Sequence, residues 1–271
     1  KIFFNSIVEC TAVMCDYDLD ILLVQLQDGR EEVRVEAIKK FIQQPSKLAK
    51  KQLIRRLKDQ SSDVRYWTVC ALEALDDPST LKDVKDLLHD SSRLVRMAVV
   101  RYIGKKPSKT EFAPLLDMLG DPDDDVRSLA SNCLARYPEK VVPRILDDLN
   151  SSRWLKRNYV FQTILQMGSK AHESISKALE KDQISKEKLY WLVQLVGEFR
   201  LRQHFDRLRQ ILLESQDEEI LLGVVNTFAK LGMSESIPLL ANYLDNYLYS
   251  IAEIFGDKRG FVLWHLQAVP V

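Results

Sequence analysis

The side chains able to do chemistry are few and scattered. Four histidines, His89, His172, His204 and His265, are the first places to look for metal ligation. Glu173 follows His172 and Asp90 follows His89, whereas His204 and His265 have no carboxylate or thiol at ligand spacing. A lone His-Glu pair falls short of a closed coordination sphere, so no metal is expected. Asp121-Pro-Asp-Asp-Asp125 gathers carboxylates that could attract calcium, but it lacks the spaced oxygens and the glycine of a helix-loop-helix calcium loop. Acidic residues at a helix start are favoured by the helix dipole without any ligand. Cys10, Cys15, Cys70 and Cys133 show neither paired-ligand spacing nor the density of a disulfide scaffold. No glycine-rich phosphate loop and no Gly-x-Ser-x-Gly elbow occurs, so neither a catalytic residue nor a cofactor is expected.

The largest charged set is periodic. Asp28, Asp59, Asp90 and Asp121 each precede a valine by five residues, and Arg34, Arg65, Arg96 and Arg127 follow those valines at intervals of 31. An array of acid-base pairs suggests proton chemistry only where one pair differs from the rest. Identical spacing in four copies instead marks a repeat, whose units bury their apolar faces by stacking. Each aspartate can accept backbone donors at the turn before a helix, and each arginine can offer a forked pair of donors to an aspartate in an adjacent unit. The expected role is a structural ladder.

The elements that carry this ladder are helical hairpins. A first helix over 18–27 and a second over 31–42, with Val33, Ala37, Ile38 and Phe41 inward, follow from the apolar spacing. The same pairing is expected for 48–59 with 62–75, 81–88 with 93–103, and 111–119 with 124–137. Pro45, Pro78 and Pro107 stand at the openings of first helices, where a fixed φ and a missing donor are tolerated. Beyond Pro138 the motif weakens: Asn150 and Leu155-Lys156 keep the five-residue step, and 185–199, 217–231 and 236–255 supply the later helices. The segment 1–17 reads as an N-terminal cap or the stub of a removed domain, 18–256 as the repeat region, and 257–271 as an apolar C-terminal tail.

Lys+Arg and Asp+Glu are both 39, and the balance holds along the chain, which argues against nucleic acid and anionic membranes as partners. No apolar run reaches the length of a membrane span. Unpaired cysteines favour a reducing, cytoplasmic setting, and flanking domains are compatible with a chain that starts at Lys1.

Short helix pairs, a leucine before the turn aspartate and a Val-Arg opening to the second helix resemble the HEAT-repeat family, in particular the short-repeat branch named after the phycobilisome lyases. The resemblance covers roughly 18 to 245 and is strongest in the four units with an intact Asp-x-x-x-x-Val-Arg. It implies an all-α fold, an α-solenoid wound as a right-handed superhelix of about eight hairpins, with the Asp-Arg ladder linking neighbours. It also implies a non-catalytic scaffold or adaptor that displays a concave face to a protein or peptide. Tetrapyrrole binding or transfer, as in the bilin lyases, is the alternative. The HEAT-like deoxyhypusine hydroxylases hold two irons with four His-Glu pairs, against the single pair here, and nucleic-acid binding of the glycosylase kind needs a basic face.

Candidate partner-binding residues are the aromatic and basic side chains of the second helices, the types that dominate binding hot spots. Trp154, Arg157, Tyr159, Tyr190 and Trp191 lie where the repeats depart from the regular pattern, and such departures tend to mark function. Tyr66 and Tyr102 are the corresponding candidates on the regular repeats.

Overall fold

A computed structural model describes residues 18–243 and 245. The expectations for 1–17 and 257–271, and for His265, Cys10 and Cys15, lie outside the described residues. Among those described, every element is a helix or a short 3-10 segment and no strand occurs.

The second helices fall almost where the apolar periodicity puts them. Helix α1 spans 18–25, α2 Glu31–Gln43, α3 Lys50–Arg56, α4 Ser62–Leu75, α5 Leu81–Val84, α6 Arg93–Ile103, α7 Lys109–Asp117 and α8 Asp124–Leu134. Then come α9 Val142–Asp147, α10 Trp154–Met167, α11 His172–Leu179, α12 Lys186–Glu198, α13 Phe205–Glu214, α14 Glu218–Leu231 and α15 over 236–243. Side-chain caps fix several starts: Ser61 accepts from the N–H of Asp63 and Val64, Ser185 from Lys188, and Asp217 from Glu219 and Ile220.

First helices differ from expectation. The single helices foreseen at 48–59 and 81–88 are each divided between a 3-10 turn and a short α-helix: Lys47–Ala49 precedes α3, and Lys85–His89 follows α5. Where the 3-10 turn closes the first helix, as at 81–88 and 111–119, the cause lies at that end. A tightened closing turn, with Asp90 N–H bonded to Leu87 O and Asp121 N–H to Met118 O, delivers both aspartates in extended backbone at ψ 145 and 146. Helix α8 likewise stops at Leu134 rather than Tyr137, whose buried hydroxyl accepts the N–H of Ser108. Pro114 sits inside α7 and cannot donate to the carbonyl of Thr110; Lys85 Nζ approaches that oxygen at 3.4 Å instead.

The described residues divide into two compact units, 18–138 with 151–166 and 139–150 with 167–243. In the first, second helices stack in sequence, α2 on α4, α4 on α6 and α6 on α8, burying Ile38 and Phe41, Val64 and Leu72, Val95 and Val99, and Val126 and Leu134. Gly104 closes α6 against α8, where an added Cβ would lie 2.3 Å from Cys133 Sγ, so no larger residue fits. In the second unit α9 packs on α11, α11 on α12, and α12 and α13 on α14, around Leu192, Val196, Val224 and Phe228.

Candidate functional site

The ladder of the first unit has one repeated geometry. Each rung aspartate accepts the N–H two residues ahead, on the residue that opens the second helix: Arg30 to Asp28, Ser61 to Asp59, Ser92 to Asp90 and Asp123 to Asp121, at 2.8 to 3.1 Å. Each arginine turns Nη1 back onto the rung carbonyl six residues earlier, as in Arg65 to Asp59 O and Arg96 to Asp90 O, both 2.9 Å. The rest of the guanidinium crosses to the next repeat. Arg65 grips Asp90 through Nε and Nη2 at 2.7 and 2.8 Å, and Arg96 grips Asp121 at 2.8 and 2.9 Å. Arg34 holds Asp59 with Nη2 alone, because Arg56 occupies the other oxygen; its buried Nε is left without a partner.

These pairs are sheltered, with Arg96 and Asp121 side chains 10% and 3% exposed. Burial raises the pKa of Asp90, but the hydrogen bonds from Arg65 and the Ser92 N–H outweigh it and hold the carboxyl below its ordinary range. Hydrogen bonding to Asp90 and Asp121 raises Arg65 and Arg96 in turn. At the exposed start of the ladder, hydrogen bonds from Arg30 bring Asp28 down to about 2.

The pattern breaks after Asp121. Arg157 donates from Nη1 to Ser151 O at 2.6 Å, and Ser151 Oγ accepts the N–H of Arg153 at 3.3 Å. These are the two bonds that define a rung, so the fifth rung is Ser151 with Arg157, one residue away from the Asn150-Lys156 register read from the five-residue step. The six-residue distance back from an arginine to its own rung was the signal that would have found it. With serine there, Arg127 turns Nη2 to Asp124 at 2.7 Å, stacks its guanidinium on the Tyr159 ring at 5.0 Å, and leaves Nε buried and unpaired.

The aromatic candidates do not form one exposed set. Trp191 and Tyr102 are 7% and 5% exposed, which leaves a partner almost no surface. Tyr102 is buried because its hydroxyl pairs with Thr80 Oγ1 at 2.7 Å, and Trp191 because it faces the core of α12, edge-on to Tyr190 at 5.3 Å. Arg157 and Tyr159 are half-buried and bound within the ladder's end, Tyr159 donating to Asp124 at 2.6 Å. Tyr190 is half-buried. Tyr66, also half-buried, meets Trp67 edge-on, and Lys39 Nζ lies over the Trp67 ring at 5.0 Å. Trp154 stands 57% exposed, beside Leu155 at 50%. Leu155, and Leu94 at the matching place in α6, were missed because single leucines at helix starts read as inward.

Among the described residues no three His, Cys, Asp or Glu converge on a metal position. Glu173 pairs with Lys177, and His204 is buried with Nε2 2.7 Å from Ser176 Oγ, burial pushing its pKa down. The Asp121–Asp125 carboxylates are engaged by Arg96, Arg127 and Arg93. Cys133 is buried, which raises its thiol pKa, and Cys70 accepts from Arg101 at 3.2 Å.

Short hairpins repeating near 31 residues, stacked second helix on second helix and tied by an inter-repeat fork, define a HEAT-like α-solenoid. The chain belongs to the HEAT-repeat family, whose model matches residues 19–104 and 81–163. Among curated proteins none matches. Similar solved structures include a designed armadillo repeat protein, at 15% identity and TM-score 0.41, covering 78% of this chain and 98% of that one. The complex of CpcE and CpcF of phycocyanin lyase from Nostoc sp. PCC7120 is similar at 14% identity and TM-score 0.42, covering 78% of this chain and 94% of that one. The C-terminal fragment of the cohesin loader SCC2 from Chaetomium thermophilum is similar at 14% and 0.46, covering 86% of this chain and 22% of that one. Such likenesses bear on nothing finer than the fold.

Asp90 gives the ladder an acid-sensitive contribution to stability. A carboxylate held below its ordinary value of 3.8 binds fewer protons folded than unfolded, so its contribution is complete above that value and is lost as pH falls through the depressed one. The melting temperature should be level from neutral pH down to about 5 and fall between about 4 and 2. Asp90→Asn, melted over the same range, should start lower and lose part of that acid limb; an acid limb identical to the parent's would show that rung carboxylates do not set it.

Proposed function

We propose that the chain is a non-catalytic interaction module, a scaffold whose rigid repeats hold out a docking surface at the opening of α10. The observation that carries this reading is the adjacent exposure of Trp154 and Leu155, 57% and 50%, at the point where the ladder changes. Neighbouring large apolar side chains in water mark surfaces that another molecule covers, and tryptophan is prominent among binding hot spots. Arg153 beside them is also exposed and gives the patch a basic edge. A protein or peptide segment with an apolar anchor and an acidic flank suits that chemistry. No helix among the described residues is long and apolar enough to cross a membrane, and free Cys70 and Cys133 are compatible with a reducing, cytoplasmic setting. Trp154→Ala with Leu155→Ala should abolish capture of a defined partner without lowering the melting temperature, while Leu48→Ala, at a side chain 73% exposed elsewhere, should leave capture intact. Equal capture by all three proteins would remove the α10 surface from consideration.

A second reading rests on a cleft of about 530 Å³ in the first unit. Its lining combines Leu81, Tyr102 and Ile103 with Lys82 and with Lys105 and Lys106, the last two paired with Asp76, and an amphipathic carboxylate such as a linear tetrapyrrole suits that mixture by competing for the lysines. Titration with a linear tetrapyrrole should then give a saturable absorbance shift that Lys82→Glu with Lys106→Glu weakens. A spectrum unchanged on adding protein would leave only the scaffold reading.

A further inference from the structure

We propose that Ser151 is a phosphorylation site, and that a phosphoryl group on its Oγ supplies the anion missing from the fifth rung of the ladder. Ser151 occupies a rung position on two independent contacts. Its side-chain oxygen accepts the N–H two residues ahead, as the carboxylates of Asp59, Asp90 and Asp121 do, and its carbonyl accepts Nη1 of the arginine six residues ahead. It differs from those rungs in carrying no charge, in standing 30 rather than 31 residues after the rung before it, and in receiving no bond from the preceding arginine, Arg127, which turns to Asp124.

Cations stand at and near this turn: Arg157 holds the Ser151 carbonyl, and Arg127 lies against α10 through Tyr159. Arg127 is 5% exposed, and the guanidinium edge that in Arg65 and Arg96 takes both oxygens of the next aspartate here reaches only Asp124 with Nη2, with Nε buried and unpaired. Its stacking on Tyr159, a residue of α10, sets it against the helix that Ser151 precedes. Arg157 has the same orphaned Nε, and Arg153 holds Gly120 O at 3.3 Å. The carboxylate beside Arg127, Asp124, is shared between Arg127 and Tyr159, and Asp117 faces Lys156 in the first turn of α10. A phosphoserine carries about −1.5 to −2 charge at neutral pH and three strong acceptor oxygens, and arginine forks match that geometry. Its oxygens also stand a bond further from the backbone than those of aspartate, which favours contact across a rung spaced one residue shorter than the others.

Access is adequate for a modifying enzyme. Ser151 is half-buried in the turn, and the residues from Ser152 to Leu155 are all exposed. In the reaction the Ser151 hydroxyl oxygen bonds to the γ-phosphorus of ATP, the bond from that phosphorus to the ADP oxygen breaks, and the hydroxyl proton passes to a base of the protein kinase.

Phosphoserine incorporated at position 151 should raise the melting temperature by about 2–4 °C, and by more than Ser151→Asp, whose oxygens stop a bond short. Phosphoserine at the exposed neighbouring position 152 should not, and Arg127→Gln should abolish the gain at 151. In the protein purified from the cells that make it, peptide mapping should find phosphate on Ser151. A phosphoserine-151 protein that melts no higher than the phosphoserine-152 protein, or native protein wholly unmodified at Ser151, overturns the proposal.

Discussion

The structure of the first unit depends on one interaction made between three successive pairs of turns: Arg34, Arg65 and Arg96 each hold the carbonyl of their own turn and reach the carboxylate of the next. Stacked hairpins gain most of their stability from apolar contact between neighbours, which is strong but poorly directional. Two smooth rows of Val, Leu and Ala can slide or rotate against each other at small cost. The fork removes that freedom, because Arg96 reaches Asp121 through two bonds only at one offset and one angle. Burial makes the pair decisive without making it a large source of stability: removing one partner leaves a sheltered charge alone, a cost of about 3–5 kcal/mol, although the intact pair contributes little net.

The turn aspartate links this tertiary lock to local structure. Its oxygen accepts the N–H that starts the second helix while the same carboxylate receives the neighbour's guanidinium. Helix initiation and repeat stacking therefore share one residue, so a sequence that keeps the aspartate keeps both. The tightened 3-10 ends of the first helices follow from the same requirement, since an α-helical ending would present the aspartate in helical rather than extended backbone.

That coupling explains what the sequence made legible. Four exact copies of the spacing allowed the rungs and the starts of α4 and α6 to be read from residue order alone, because each rung is a local turn plus one fixed step to the next. The first helices were less legible: they are short, and their division into α and 3-10 turns answers to packing rather than propensity. The fifth rung was read one residue out of register because serine replaces aspartate there, and only the contact from Arg157 to Ser151 O reveals the equivalence. The aromatic residues were the least legible. Tyr102 and Trp191 have the same composition signal as Trp154, yet Tyr102 finds a buried hydroxyl partner in Thr80 and Trp191 faces inward, while Trp154 stays in water. Their burial depends on the angle between helices, which periodicity within one helix does not encode.

The most direct test is the coupling energy between Arg96 and Asp121, from a double-mutant cycle of Arg96→Gln, Asp121→Asn and the pair, measured by denaturant unfolding. If the fork locks one repeat to the next, each single variant should lose much more stability than half of what the double variant loses, giving a coupling of about 1–3 kcal/mol. Strictly additive losses would mean that apolar stacking alone sets the register of the repeats, and that the ladder is decoration on it.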